Sequence, residues 1–253
     1  MRHYRDSHVI DIMTFVISYY QSGQRTLTFY LRKGFPKLTD EDRVDIDDYW
    51  QAMLLKSPTG LFNGEIYSCN TFEDNGQTLS IGVNKVDYKT YKWARDHKLP
   101  LRGAYGIGNG MLLFDPKRNA FTLLKRSETV AFDKAKISVI GGVLSYKQVG
   151  VSNFERHIKE ATIEEVFEEV QIKGNLEKVA LLGLYWDTET YKVEFLYSGQ
   201  AQVISVKADE NKEIVEVPQN EFTNFVQQHR SQMELTSGIH FDHLAAKTAS
   251  AQI

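Results

Sequence analysis

The sequence predicts an α+β fold, a mixed β-sheet with helices packed on it, on three observations. Apolar and aromatic runs of strand length recur along the chain, two of them joined by the turn Asp115-Pro116-Lys117-Arg118-Asn119. A long helical stretch, Ser152 to Gln171, stands between strand-like runs instead of after them. A shorter one, Pro218 to His229, follows the last run with proline near its start. Strands on both sides of a helix suit a sheet that buries a helix against itself.

The elements can be read in order. Ile10 to Tyr20 is apolar and aromatic and fits strand or helix equally. Leu27-Arg32 (LTFYLR) is a short strand rich in aromatic and β-tending residues. KLTDEDRVDIDDYWQAMLLKS reads as a helix: Thr39 and Asp42 resemble a capping pair, and Val44, Ile46, Tyr49, Trp50 and Met53 fall near helical spacing before SPTG (57–60) breaks it. GEIYSCNTF and QTLSIGVNKV are strands around the turn EDNG, and DYKTYKWARDHK is a helix ending at Leu99-Pro100. AYGIGNGMLLFD and AFTLLKRS follow as antiparallel strands, then KISVIGGVL, which runs into the pair Gly141-Gly142. Beyond the long helix come KVALLGLYWD, KVEFLYSGQAQV and EIVEVP as strands. The expected organisation is a strand-and-helix extension over 1–100, a main mixed-sheet domain over 101–230 and a C-terminal tail over 231–253.

Composition bounds the function. At 253 residues and 42% hydrophobic content the chain can bury a sizeable core. A net charge of -3 gives no electrostatic case for nucleic acid or an anionic membrane as the main partner. No stretch approaches the roughly 20 apolar residues of a membrane span, and the apolar start, broken by Asp11, lacks a small-residue cleavage site. Cys69 stands alone and cannot form an internal disulfide, so a reducing, cytoplasmic compartment is expected, with the thiol as a small apolar filler. The seven histidines show no metal-ligand spacing, and His240 and His243 read as a chance pair. GIGNG (106–110) lacks the Lys-Ser/Thr of a phosphate-binding loop and lies inside a strand pattern.

The chemistry concentrates in the long helix. Ser152 and Glu155 fit a capping box that starts it near Asn153. Ile163, Val166, Phe167 and Val170 form an apolar stripe, and Glu165, Glu168 and Glu169 repeat the same spacing on a rotated face. Like charges so spaced destabilise a helix by about 0.2–0.5 kcal/mol per pair, so the cluster wants a cation. Oxygen ligands suit hard divalent ions such as Mg²⁺. The plain alternative is a solvated glutamate face.

The stretch from GGVL to EEVFEEVQI resembles the box of the Nudix hydrolases, G-x5-E-x7-R-E-U-x-E-E-x-G-U with U apolar. Gly142 falls on the opening glycine, Glu165 on the glutamate of R-E, Glu168 and Glu169 on the E-E pair, and Val166 and Ile172 on the apolar positions. The sequence departs from the box as well. Glu164 replaces the arginine that orients a catalytic glutamate, and Gln171 replaces the late glycine. Gly142 to Glu155 spans 13 positions where the pattern has 6, and Glu155 to Glu164 spans 9 where it has 8. The same departures are similar to the UDP-glucose/UDP-galactose diphosphatase branch, as are YWQAMLLKSPTGLFNG, LSIGVNKVDYKTY, TLLKRSETVA and LLGLYWDTETYKVEFLY. This discontinuous, collinear likeness runs from about Asp47 to Val206.

The resemblance implies an α/β/α sandwich and hydrolysis at the pyrophosphate of a nucleoside diphosphate derivative. A UDP-sugar would give UMP and a sugar 1-phosphate. Glu165, Glu168 and Glu169 would hold Mg²⁺ or Mn²⁺, which lowers the pKa of a bound water. Gly141 and Gly142 would let backbone approach the ligand, and Arg126 would contact phosphate as a bidentate donor. Glu194 would serve as a further ligand or the base. Tyr88, Tyr105 and Trp186 offer rings for base stacking, although such rings are more often core. ADP-ribose or another dinucleotide stays open as substrate. So does a degenerate domain that binds a nucleotide or a protein without hydrolysis.

Overall fold

The computed structural model describes residues 26–31, 37–56, 61–97, 105–126, 135–187, 192–207, 212–234, 237–238, 241–242 and 244. The apolar start at 10–20, the break at 57–60 and the pair His240/His243 lie outside them.

Strands β1 (Thr26–Leu31), β2 (Glu65–Asp74) and β3 (Thr78–Asp87) flank helices α1 (Asp40–Lys56) and α2 (Tyr88–Asp96) in the chain. Then come β4 (Tyr105–Asp115), β5 (Ala120–Arg126), β6 (Ile137–Ser138), β7 (Ile140–Val143) and α3 (Phe154–Glu169). The long strands β8 (Val170–Asp187) and β9 (Lys192–Val206), then β10 (Lys212–Pro218) and α4 (Phe222–His229), complete the order. The fold is the expected α+β arrangement of a mixed sheet with helices. Among the described residues no helix is long and apolar enough to cross a membrane.

Strand β4 is the hub. It runs parallel to β9 from Gly106 to Phe114 along one edge. Its other edge is shared in turn by β2 at Tyr105–Gly106, β7 at Gly108–Met111 and β5 at Leu113–Asp115. β2 carries β3 and β1 into the same sheet, and β5 carries β6 and β10. Alternation along these strands separates two cores. Ile107, Met111, Ile140, Val193 and Phe195 face α3 with Phe154, Ile158 and Val166. Leu112, Val139, Leu196 and Val217 face α4 with Phe222 and Val226.

Local signals explain most element starts. Thr39 and Asp42 exchange the reciprocal bonds of a capping box at α1, Thr39 N to Asp42 Oδ2 at 2.8 Å and Asp42 N to Thr39 Oγ1 at 3.1 Å. Asp87 caps α2 by accepting from Thr90 N at 2.9 Å. Cys69 is fully buried, and burial pushes its thiol up to about 12, as a packing residue should behave.

Helix α3 departs from its expected reading in three ways. It starts where expected, but Asn153 makes no side-chain cap bond and no Ser152–Glu155 box forms; a 3-10 turn over Val151–Asn153 leads in. Phe154 anchors the start instead, edge-on to Tyr67 at 4.7 Å and tilted against Phe29 at 4.8 Å. Of the expected stripe Val166 and Val170 are buried and Ile163 packs against the core, but Phe167 is 45% exposed, and Phe154, His157, Ile158, Thr162 and Glu169 are buried instead. The helix also stops at Glu169, so Gln171 and Ile172 belong to β8.

Candidate active site

The glycine pair and the carboxylate helix meet. Gly142 pairs with Asn109 of β4, on the α3 side of the sheet. A Cβ on Gly142 would stand 2.7 Å from Glu165 Oε1, so the missing side chain is what lets that carboxylate lie against the strand. Asn109 Nδ2 donates to Thr162 Oγ1 at 3.2 Å, and Thr162 donates to Ile158 O at 2.7 Å, fixing α3 over this point. Gly141 serves another purpose: its Cβ would stand 2.1 Å from Asn109 O and 2.6 Å from Gly110 Cα. Here glycine permits close approach of two strands.

The long segment between the glycine pair and α3 is pinned to β4 and β2. Leu144 N donates to Ile107 O at 2.7 Å, Tyr67 N to Leu144 O at 3.0 Å and Tyr146 N to Glu65 O at 2.9 Å. Lys147 Nζ then reaches Glu164 Oε2 at 2.7 Å. Glu164, at the position of the box arginine, therefore ties the long segment to the helix through an exposed pair.

The three expected ligands part company. Glu165 lies over Gly142, Glu168 is exposed and Glu169 is buried against Lys212 Nζ, with both side chains 8% exposed. Among the described residues no group of three or more His, Cys, Asp or Glu gathers to hold a metal ion. Lys212 draws Glu169 inward while Glu168 faces solvent. Lys212 is directly opposite Arg126 across β5 and β10. Arg126 Nε is buried without a hydrogen-bond partner among the described residues.

Glu194 is on the other side of the sheet. It pairs in register with Gly108, alternates with Val193 and Phe195, and is 2% exposed. Its Oε2 lies 2.5 Å from Lys192 Nζ, which also approaches Glu234 Oε1 at 3.5 Å. Gly108 and Gly110 leave room for these two side chains on the floor of β4. The expectation that Glu194 joins Glu165 and its neighbours is corrected by strand alternation, which directs it to the opposite face. Tyr88 packs with Ile66, Val86 and Tyr91, Tyr105 packs against the α3-side core, and the Trp186 side chain is outside the described set.

Lys192, Glu234 and Lys212 were not singled out by sequence. In KVEFLY, Lys192 and Glu194 share a face of a strand that is otherwise apolar, and that pattern signals a buried ion pair. Lys212 has no such local signature.

The buried pair dictates a pH range. Burial alone would lower Lys192 and raise Glu234; Glu194 and Glu234 instead hold Lys192 above its ordinary 10.5, and Lys192, Arg126 and Arg95 hold Glu234 below its ordinary 4.5. The stability from Lys192 is complete below 10.5 and lost as pH rises through its raised value. That from Glu234 is complete above 4.5 and lost as pH falls through its lowered value. Urea unfolding across pH should therefore show a plateau between these limits, and Glu234→Gln should remove the acid-side loss assigned to this group.

No protein-family model matches the chain, and no curated protein matches it. Among solved structures, Tm1382, a candidate Nudix hydrolase, is 18% identical over 65% of this chain and 79% of its own, with a TM-score of 0.48. The MutT protein of Methanosarcina mazei Go1 is 20% identical over 57% and 95%, with a TM-score of 0.42. A bifunctional NMN adenylyltransferase/ADP-ribose pyrophosphatase of Francisella tularensis is 12% identical over 84% and 47%, with a TM-score of 0.40.

Proposed function

We propose that the chain is a divalent-cation-supported pyrophosphohydrolase of the Nudix kind, acting on a nucleoside diphosphate linked to a second group. The observation that carries this reading is the contact of Glu165 with Gly142, 23 positions apart, which brings together the glycine strand end and the first helix glutamate of the box despite the long segment between them. The oxygen-only donors Glu165 and Glu169 lie one helical turn apart, and Glu169 already holds a cationic group in Lys212. This donor set suits Mg²⁺ or Mn²⁺, with Glu168 at the exposed end. Such an ion supplies charge neutralisation and a more acidic bound water.

The other residues bind and orient. Arg126, whose Nε is buried without a hydrogen-bond partner among the described residues, offers a donor to a phosphate oxygen. Water attacks one phosphorus, the bridging P–O bond breaks, and the two phosphate products separate. Among substrates we favour UDP-sugars, giving UMP and a sugar 1-phosphate, on the collinear motifs from Asp47 to Val206. ADP-ribose is the second candidate.

Purified protein with Mg²⁺ or Mn²⁺ should release UMP from UDP-glucose or UDP-galactose, read by chromatography beside ADP-ribose and NADH. Turnover of none of them would sink the enzyme reading; ADP-ribose cleavage with UDP-sugars inert would sink only the substrate preference. Glu165→Gln is the cleaner knock-out and should lower turnover by about 100-fold or more. Glu169→Gln should cost activity and stability together, because Glu169 lies in the buried line of α3 and partners Lys212.

A further inference from the structure

We propose that Asn109 is a positioning residue for the reaction: its amide, bonded to Thr162 one turn before Glu165, sets where the Glu165 carboxylate stands over the glycine strand end. The proposal rests on the pyrophosphohydrolase reading given above. Asn109 interrupts an apolar row. Ile107, Met111 and Leu113 belong to the α3-side core, and Asn109, on the same face of β4, is 2% exposed among them. Alternation and burial would both favour an apolar side chain at this place.

The hydrogen bonds fix how the amide lies. Thr162 Oγ1 donates its one hydrogen to Ile158 O at 2.7 Å, so it can only accept from Asn109, whose Nδ2 donates at 3.2 Å. The other end of the amide, Oδ1, is thereby turned away from Thr162. It is buried without a hydrogen-bond partner among the described residues. An acceptor so buried costs more than one neutral hydrogen bond returns. Fold stability therefore does not account for the amide.

Placement does. The apolar contacts between α3 and the sheet are non-directional, and they leave the helix free to shift over Ile107, Met111 and Phe195. A hydrogen bond is directional and does not. Asn109 holds Thr162, and Thr162 shares a side of the helix with Glu165, three residues on. Glu165 lies over Gly142, and Gly142 pairs in register with Asn109. The path from strand to helix and back thus closes on itself, and the Asn109–Thr162 bond sets the seat of α3 within it.

The test measures urea unfolding and turnover of UDP-glucose and ADP-ribose, with Mg²⁺ or Mn²⁺, on the same variants of the full chain. Asn109→Leu, close to isosteric, should be at least as stable as the unaltered protein, with kcat about tenfold lower and KM little changed. Thr162→Val strands the amide, so it should lose stability as well as turnover. Combining the two should restore stability while turnover stays low, no lower than in either single variant. Thr162→Ser keeps the hydroxyl and should keep turnover. If Asn109→Leu does not fold, Thr162→Val against Thr162→Ser reads the same bond from the helix. Turnover that recovers with stability in the double variant would overturn the proposal, since the bond would then serve the fold alone. Losses of turnover that multiply in the double variant, or unaltered turnover in both single variants, would overturn it too and leave the enzyme reading standing. No turnover by the unaltered chain defeats both.

Discussion

Glu194→Leu should lower stability by about 3–5 kcal/mol, the range for removing one member of a buried ion pair. Glu194 is 2% exposed, and Lys192 Nζ sits 2.5 Å from its Oε2. Without Glu194, Lys192 keeps Glu234 at 3.5 Å, a longer contact that cannot replace the lost one. The cost arises from a stranded ammonium and not from lost attraction alone, so a double substitution separates the two. Lys192→Met combined with Glu194→Leu replaces the pair with apolar groups and should recover most of the loss in urea unfolding at pH 7. If the double variant is as unstable as the two single losses added, the pair is not what these side chains contribute.

Why the site was only partly legible follows from the same residues. Local signals worked where chemistry and neighbours coincide. Thr39 and Asp42 cap α1 as their spacing implies, and the turn at 115–119 joins β4 to β5. Gly142 and Glu165 also meet, across the long segment between them. Helical spacing alone could not say which side of α3 is buried, because Phe167 and Glu169 compete for it. Glu169 wins the buried place through a lysine 43 positions away, and no local pattern announces such a partner. Glu194 shows the same limit in a strand: alternation fixes that it is buried with Lys192, but the sheet topology decides which face that is. Glu164, the departure from the box arginine, gains its meaning only when the long segment is seen pinned to β4 and β2 with Lys147 at its tip.

The two glycines separate structure from chemistry. Gly141→Ala should cost about 2–4 kcal/mol, as for inserting a group where packing leaves no room. Its Cβ would meet Asn109 O at 2.1 Å and Gly110 Cα at 2.6 Å, both main chain, so β4 and β7 must separate and lose pairing. Gly142→Ala meets Glu165 Oε1 at 2.7 Å, the free end of a flexible side chain that can turn aside. Its stability should change by less than about 1 kcal/mol, while turnover falls by about 10- to 100-fold as the carboxylate leaves its position. Urea unfolding reads the first effect and product release the second. Equal loss of stability in both variants would mean that Glu165 is locked in place as a structural side chain. A stable Gly142→Ala protein with unaltered turnover would show that the position of Glu165 over the strand end does not matter to the reaction. The expected split, one alanine unfolding the strand pair and its neighbour silencing a folded protein, is the pattern that a functional carboxylate at Gly142 produces.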